Sequence, residues 1–148
     1  MQSYARGEAV NLEPVTLEWH MFERLTAARS NFPSTACVYV QTDAARYPFR
    51  IGKASEGLEA RYRGGNGYAI DAAMHGSGNL VFVAAVPKEL CEAIESELIW
   101  QGRRGLPYNN NGKRTAPPRR MRLVHTGTAP RFEGFEEQGS GGTEERPA

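Results

Sequence analysis

Five side chains of the kinds used in phosphodiester chemistry follow one another in short apolar segments of this chain. They are Tyr39, Lys53, Arg61, Glu95 and Asn109. A phenol can orient or deprotonate a nucleophile, an ammonium and a guanidinium can hold a phosphate, and a carboxylate can bind a divalent metal ion. Together these residue types predict metal-assisted cleavage of a phosphodiester.

The position of Tyr39 on its strand decides whether the phenol can take part. Alternation along a strand places Tyr39 on one face with Cys37 and Gln41, opposite Val38 and Val40. An ordinary phenol has a pKa of about 10, so a role as general base requires nearby positive charge. The alternative is a core tyrosine whose ring packs and whose hydroxyl bonds to an ordinary partner.

The carboxylate and the amide each have neighbours of the same type. Glu95 and Glu97 flank the apolar stripe of one predicted helix on opposite sides, so helical periodicity does not choose between them. One carboxylate with phosphate oxygens and waters suffices for a Mg²⁺ site. Asn109 begins a run of three asparagines, and it is the first choice because it directly follows the aromatic Tyr108.

The order and spacing of these residues resemble the GIY-YIG nuclease family over residues 36–111. The resemblance implies a small α+β domain that hydrolyses DNA with Mg²⁺ or Mn²⁺. It also implies that Tyr39 contacts the attacking water as general base and that Arg61 stabilises the scissile phosphate. The family pattern, in which Leu and Ile follow the glutamate after three residues, selects Glu95 as the metal ligand, and it implies that Asn109 braces the site. Lys53 at the strand end adds a point charge for phosphate, and Gly52 permits a sharp turn or close approach.

The chain departs from the family at two positions. Arg50 stands where the second tyrosine of the name motif is expected, as in outlying branches similar to the phage T5 Orf172 type. Gly65 stands where many members carry a histidine or tyrosine, and Tyr62, Tyr68 and His75 are candidate replacements. Arg50 could add a phosphate contact. The departures also favour a second hypothesis, a catalytically reduced module that binds nucleic acid without cutting it.

The charge distribution indicates a polyanionic partner. The net charge is +1, but residues 102–131 contain eight basic residues and no acidic one, and five glutamates follow. We assign nucleic-acid contacts to Arg63 and to most of this basic segment: Arg103, Arg104, Lys113, Arg114, Arg119, Arg120 and Arg122. The alternative is a solvated segment, and a third hypothesis is an unrelated α+β domain that acts through protein contacts.

The apolar patterns predict helix, strand, strand, helix, strand and helix in that order. The ranges are an amphipathic helix over 14–30, strands over 36–41 and 49–52, a short helix over 57–63, a strand over 80–86 and a helix over 87–101. A helical turn over 70–74 and a strand over 121–125 are further possibilities. This order predicts an α+β fold with a three-stranded, mainly antiparallel sheet flanked by helices, plus an extra N-terminal helix.

The length suits one domain with tails. We predict a flexible N-terminus over 1–13, a GIY-YIG-like domain over 14–131 with its core at 36–111, and a disordered acidic tail over 132–148. No segment reads as a membrane span or a signal peptide, which favours cytoplasmic residence without membrane contact. Cys37 and Cys91 read as buried thiols. DNA is the expected partner, and specificity is expected to be low or to be supplied by a protein partner; the oligomeric state is left open.

Overall fold

The computed structural model describes residues 14–63, 78–107, 109 and 112–135, apart from the side chains of residues 61–63. Within these ranges, five strands form one sheet and three α-helices pack on it. The elements in chain order are β1 (Pro14–Phe22), α1 (Leu25–Asn31), β2 (Cys37–Thr42), β3 (Pro48–Ala54), α2 (Leu58–Arg63), β4 (Leu80–Ala85), α3 (Cys91–Gln101) and β5 (Arg122–Gly127). The predicted α+β class is confirmed, with five strands in place of three.

The sheet has the strand order β3-β2-β4-β1-β5. All neighbouring strands are antiparallel except β1 and β5, which run parallel. All six residues of β2 are buried, and so are the first five of β4, because both strands lie inside the sheet and are covered on both faces. Central placement explains why these two strands are continuous apolar runs in the sequence.

The predicted N-terminal helix over 14–30 is wrong. Residues Pro14–Phe22 form β1, and only Leu25–Asn31 are helical. Val15, Leu17 and Trp19 are spaced by two residues, and Leu17 and Trp19 are buried on the same face while Thr16 and Glu18 are exposed. A period of two is a strand pattern, and β4 and β5 provide a hydrogen-bonding partner on each side of β1.

Two apolar cores lie on opposite faces of the sheet. The larger core is beneath α3 and contains Val38, Ile51 and Phe82 from the strands with Ile94 and Leu98 from the helix. The smaller core is beneath α1 and α2, and its members are Leu25, Ala28, Cys37, Tyr39, Ala54, Leu58, Val81 and Val83. Alternation along each strand therefore sends neighbouring residues into different cores.

The other element boundaries shift by a few residues. β3 extends over Pro48–Ala54, because Asp43–Tyr47 suffice to connect it to β2. A 3₁₀ turn at Lys88–Leu90 precedes α3, and the possible last strand is present as β5. The predicted turn over 70–74, the predicted N-terminus over 1–13 and residues 136–148 of the predicted tail over 132–148 lie outside the described residues. The first residues after 131 are described, and Phe132 and Phe135 pack against the larger core.

Cys37 and Cys91 are both buried free thiols, as predicted. The Cys91 thiol donates to the carbonyl oxygen of Cys37 at 3.4 Å, and burial raises the pKa of Cys37 to about 12. In the described part of the chain, no helix is both long enough and apolar enough to cross a bilayer.

A hydrogen bond between two aromatic side chains joins β1 to β5. The Trp19 indole N–H donates to Nδ1 of His125 at 3.0 Å, and the His125 ring stacks on Phe132 with centroids 4.0 Å apart. Burial lowers the pKa of His125 to about 4. Because Nδ1 must offer a lone pair to the indole, this contact requires the neutral imidazole.

We expect the protein to lose stability as pH falls from about 6.5, the pKa of an unfolded histidine, towards 4. His125 becomes protonated in the unfolded chain first, so the lowered folded pKa favours unfolding over this window. The ring is partly exposed, so we expect a loss of about 1–2 kcal/mol in unfolding free energy between pH 7.5 and pH 5. Urea denaturation at both pH values measures it.

The control variant for this titration is His20→Phe, since His20 lies on β1 with an exposed side chain. His125→Phe should lower stability at both pH values, because Trp19 loses its acceptor, but should shrink the difference between them. His20→Phe should leave that difference intact. If His125→Phe retained the full pH dependence, a different group would be responsible.

Candidate active site

The ring of Tyr39 crosses from β2 over β3 at Gly52. Tyr39 and Gly52 are directly paired across the two antiparallel strands. The tyrosine side chain is fully buried, and a Cβ atom added at Gly52 would collide with its Oη, Cζ and Cε1 atoms. The glycine of the sequence motif is therefore required by the tyrosine of the motif, because any side chain at position 52 would occupy the space of the phenol ring.

Arg50, the residue that replaces the expected second tyrosine, contacts the first one. Its Nη1 donates a hydrogen bond to Tyr39 Oη at 3.0 Å, and its guanidinium carbon lies 5.9 Å from the ring centroid. An arginine donates only, so Oη accepts from Arg50 and the phenolic proton is directed elsewhere. A general base would have to accept a proton at Tyr39 Oη, where Arg50 already donates. The geometry therefore suits a phenol that orients a bound water better than a phenol that deprotonates the water.

Asn109 covers the open edge of β3. Its Oδ1 accepts from the Ile51 backbone N–H at 2.8 Å, and its Nδ2 donates to the Ile51 carbonyl at 2.9 Å. Ile51 lies between Arg50 and Gly52 on the edge strand, so a single amide side chain satisfies both outward-facing backbone groups at the centre of the motif. These bonds fix the Ile51 backbone, and bracing of a catalytic site by Asn109 stays a prediction from the family resemblance. Asn110 and Asn111 lie outside the described residues.

Lys113 holds the loop that presents Asn109. Its ammonium donates to the carbonyl oxygens of Leu106 and Asn109, at 2.8 and 2.9 Å. Sequence reasoning assigned this lysine to nucleic acid, whereas the structure uses it to close the loop after α3. The sequence did not predict these contacts, because the fold of the loop determines which backbone carbonyls lie within reach of the Lys113 ammonium.

Lys53 and Glu95 lie on the face of the sheet that α3 covers. Lys53 follows Ile51 by two residues and shares its face, and Glu95 lies one turn beyond Cys91 on α3. Burial raises the pKa of the Cys91 thiol, the Lys53 ammonium opposes that rise, and the Glu95 carboxylate adds to it. Both charges therefore lie near the same thiol, and both side chains are half-buried.

The structure places the predicted residues around β3 but not in one open cleft. Tyr39 and Arg50 meet on the α1–α2 face, and Lys53 and Glu95 lie on the α3 face. The backbone of Arg61 lies on α2, which packs on the Tyr39 face through Leu58. The side chains of Arg61 and Arg63 lie outside what the structure describes, as do Tyr62, Gly65, Tyr68 and His75.

Glu97, the alternative carboxylate, has a different role. It is fully buried and accepts from Arg120 Nε at 2.9 Å, from Arg120 Nη2 at 3.1 Å and from Gln101 Nε2 at 2.9 Å. A buried carboxylate with three charge-assisted or amide hydrogen bonds is engaged within the fold. Sequence periodicity did not separate Glu95 from Glu97, because the residue that distinguishes them is more than twenty positions away.

The predicted basic segment divides into two groups. Lys113 and Arg120 are engaged as described, and the Arg103 guanidinium stacks 3.8 Å from the Trp100 ring while donating to the Trp100 carbonyl. The exposed group contains Arg104, Arg114, Arg119 and Arg122. In the described part of the chain, no cluster of three or more His, Cys, Asp or Glu side chains could hold a metal ion.

We expect Gly52→Ala to lower the free energy of unfolding by at least about 2 kcal/mol, because the new methyl group overlaps a fully buried ring. Urea denaturation with a fluorescence readout measures this loss. Gly105→Ala is the matched control, since a Cβ there meets nothing within 4 Å, and its effect should stay within about 0.5 kcal/mol. Equal stability of the two variants would show that the Tyr39 ring is not fixed over position 52.

We expect Asn109→Ala to expose the Ile51 amide to solvent and to lower unfolding free energy by about 1–2 kcal/mol, since two backbone hydrogen bonds are lost. Hydrogen–deuterium exchange of Ile51 measures the local effect. Asn31→Ala, which removes an exposed bond to the Ala27 carbonyl, is the control and should leave Ile51 exchange unchanged. Unaltered exchange in Asn109→Ala would contradict the bracing role.

Comparison with known proteins leaves the site to be interpreted from its own geometry. A scan of protein-family models, a search of curated proteins and a search of solved structures each gave no match to this chain. The resemblance to the GIY-YIG family consequently depends on the order of Tyr39, Lys53, Arg61, Glu95 and Asn109 in the sequence, and the chemistry of the site is inferred from the contacts around β3.

Proposed function

We propose that this protein is a divalent-metal-dependent endonuclease that hydrolyses DNA phosphodiester bonds beside β3. The observation that carries the proposal is the convergence on three consecutive residues of this edge strand. Arg50 binds the Tyr39 hydroxyl, Gly52 accommodates the Tyr39 ring, and Asn109 holds both backbone groups of Ile51 between them. Side chains distant in sequence thus fix one short stretch of backbone.

Positive charge supports phosphate binding at this edge. Arg50 is half-buried on one face of β3, and Lys53 is half-buried on the other. A guanidinium can hold two phosphate oxygens at once, and an ammonium adds a point charge. In the proposed reaction the scissile phosphate lies at the edge of β3, where Arg50 and Arg61 from one face and Lys53 from the other neutralise its charge. Tyr39 orients the attacking water once Arg50 has moved aside.

Glu95 is the residue we propose as the metal ligand. A single carboxylate completed by phosphate oxygens and waters fits Mg²⁺ or Mn²⁺, and Glu95 is half-buried on the face that carries Lys53. Glu97, by contrast, is already enclosed by Arg120 and Gln101. The ion, when bound, supplies Lewis-acid stabilisation of the leaving oxygen. The nearby Lys53 ammonium would then contact the same phosphate group as the ion.

A second candidate function is nucleic-acid binding without cleavage. The observation that favours it is the complete burial of Tyr39, whose hydroxyl is bound by Arg50 and does not face solvent. An attacking water would need Arg50 to move aside before reaching the phenol. In this alternative, the exposed arginines Arg104, Arg114, Arg119 and Arg122 contact DNA backbone, cytoplasmic residence is retained, and a protein partner supplies specificity.

We expect Glu95→Gln to reduce Mg²⁺-dependent nicking of supercoiled plasmid by about 100-fold or more, because the substitution removes the charge that holds the ion. Glu92→Gln is the matched control, since Glu92 is an exposed carboxylate on the first turn of the same helix, and it should nick at the wild-type rate. Conversion of supercoiled to open-circular DNA is followed on agarose gels.

The outcomes separate the two candidate functions. Equal nicking by Glu95→Gln and the parent protein would remove Glu95 from the site. Absence of nicking by the parent in Mg²⁺ and Mn²⁺, together with salt-sensitive DNA binding in a gel-shift assay, would establish the binding-only alternative. Absence of both activities would leave protein contacts as the function of the domain.

A further inference from the structure

A groove of about 300 Å³ lies where β3 begins, next to the loop that follows α3. It is lined by Tyr47 and by Pro48, the first residue of β3, by Gly102, Arg104 and Gly105 after the helix, and by Glu133, Gly134 and Phe135. We propose that this groove binds an unpaired nucleotide of the nucleic-acid substrate, an inference that rests on the nucleic-acid function proposed above. The site is separate from the Tyr39, Lys53 and Glu95 set.

Tyr47 is the first reason for this assignment. It is 45% exposed, yet its side chain is held in place: the hydroxyl donates to Glu133 Oε1 at 3.3 Å, and the Arg131 guanidinium carbon lies 5.3 Å from the ring centroid. Arg131 is itself held by the Ala45 carbonyl at 2.9 Å. An aromatic ring that is exposed but already ordered offers a stacking surface without a large entropic cost on binding.

The backbone of Tyr47 is fixed as well. Its N–H donates to Asp43 Oδ1 at 2.9 Å, and its carbonyl accepts from the Asp43 N–H at 3.1 Å. The Asp43 carboxylate also accepts from the Ala45 N–H, which shapes the whole connection between β2 and β3. The loop therefore presents the ring at a defined position beside Pro48 rather than sampling many orientations.

The rest of the groove suits the other parts of a nucleotide. Phe135 packs against Gly102, where an added Cβ would meet the phenyl ring, and Phe132 contacts Phe135 edge to face at 5.0 Å between centroids. These contacts give the groove an apolar wall. Arg104 is exposed on the lining and supplies a cation for a phosphate, and added Cβ atoms at Gly105 and Gly134 meet nothing within 4 Å. Open backbone at these glycines permits close approach.

The dimensions favour a single nucleotide over a duplex. A volume of about 300 Å³ is at the small end of ligand sites and accommodates one base with its sugar. Pro48 and Ile51 are three residue steps apart, which is about 10 Å along β3. A DNA strand that places one base against Tyr47 would therefore reach Ile51, which Asn109 holds, after about 10 Å along β3. The proposed substrate is accordingly DNA with an unpaired segment.

The test compares the binding affinities of two labelled DNA probes by fluorescence anisotropy in EDTA. The probes are a 12-nucleotide single strand and the blunt duplex of the same sequence. We expect tighter binding of the single strand by the parent protein. Tyr47→Leu should weaken single-strand binding about fivefold or more and leave duplex binding unchanged, because it removes the stacking ring. Tyr47→Phe keeps the ring and should retain most of the affinity. Arg122→Ala, an exposed cation on β5 outside the groove, should weaken both probes equally.

Each outcome decides the proposal. Equal single-strand affinity of Tyr47→Leu and the parent, preference for the duplex, or no binding of either probe would overturn it. The urea midpoint of each variant confirms that folding is intact. EDTA prevents metal-dependent cleavage, so the anisotropy assay measures binding alone. Tyr47-dependent binding without any nicking in Mg²⁺ would support the nucleotide-binding groove and contradict the proposed nuclease activity. Glu95-dependent nicking without a Tyr47 effect would do the reverse.

Discussion

The passage of the Tyr39 ring over Gly52 is the contact on which the local structure of β3 depends. It fixes a fully buried phenol from β2 against a position on the edge strand where no side chain fits. Arg50 then binds the phenol from the same face, and Lys53 is directed to the opposite face by alternation. The glycine at position 52 and the arginine at position 50 therefore both contact the same aromatic side chain, Tyr39.

Buried polar pairing organises the chain beyond α3. Glu97 receives hydrogen bonds from Arg120 and Gln101, which connects the helix to the segment before β5. Lys113 closes the intervening loop through two carbonyl oxygens, and that loop presents Asn109 to the edge of the sheet. Removing one member of a buried charge pair costs more than the pair contributes, since the other charge is left without compensation. Lys113 and Arg120 consequently stabilise the fold through hydrogen bonds within the chain.

Much of the fold and part of the candidate site could be predicted from sequence. The central strands β2 and β4 were predicted because burial on both faces makes them continuously apolar, and the face of Tyr39 followed from alternation. The strand β1 was mistaken for a helix because its pattern continues into α1, and its pairing with β5 joins residues more than one hundred positions apart. Local sequence does not contain such pairing.

The same limit explains which side-chain roles were missed. The family pattern implies that Asn109 braces the site, but its hydrogen bonds to the Ile51 backbone could not be predicted, because the two residues meet only in the folded chain. Arg120 and Lys113 appeared in the sequence only as members of a basic run. Their partners are a glutamate on α3 and two loop carbonyls, and net charge per segment does not distinguish these partners from phosphate.

The amide of Asn109 also affects how the sheet ends. An edge strand with free N–H and C=O groups can accept a strand from another molecule and so extend the sheet between chains. At Ile51, an incoming strand would have to displace two hydrogen bonds of 2.8 and 2.9 Å that are already made within the molecule. The side chain that orders the motif thereby also opposes intermolecular sheet formation and aggregation at this edge.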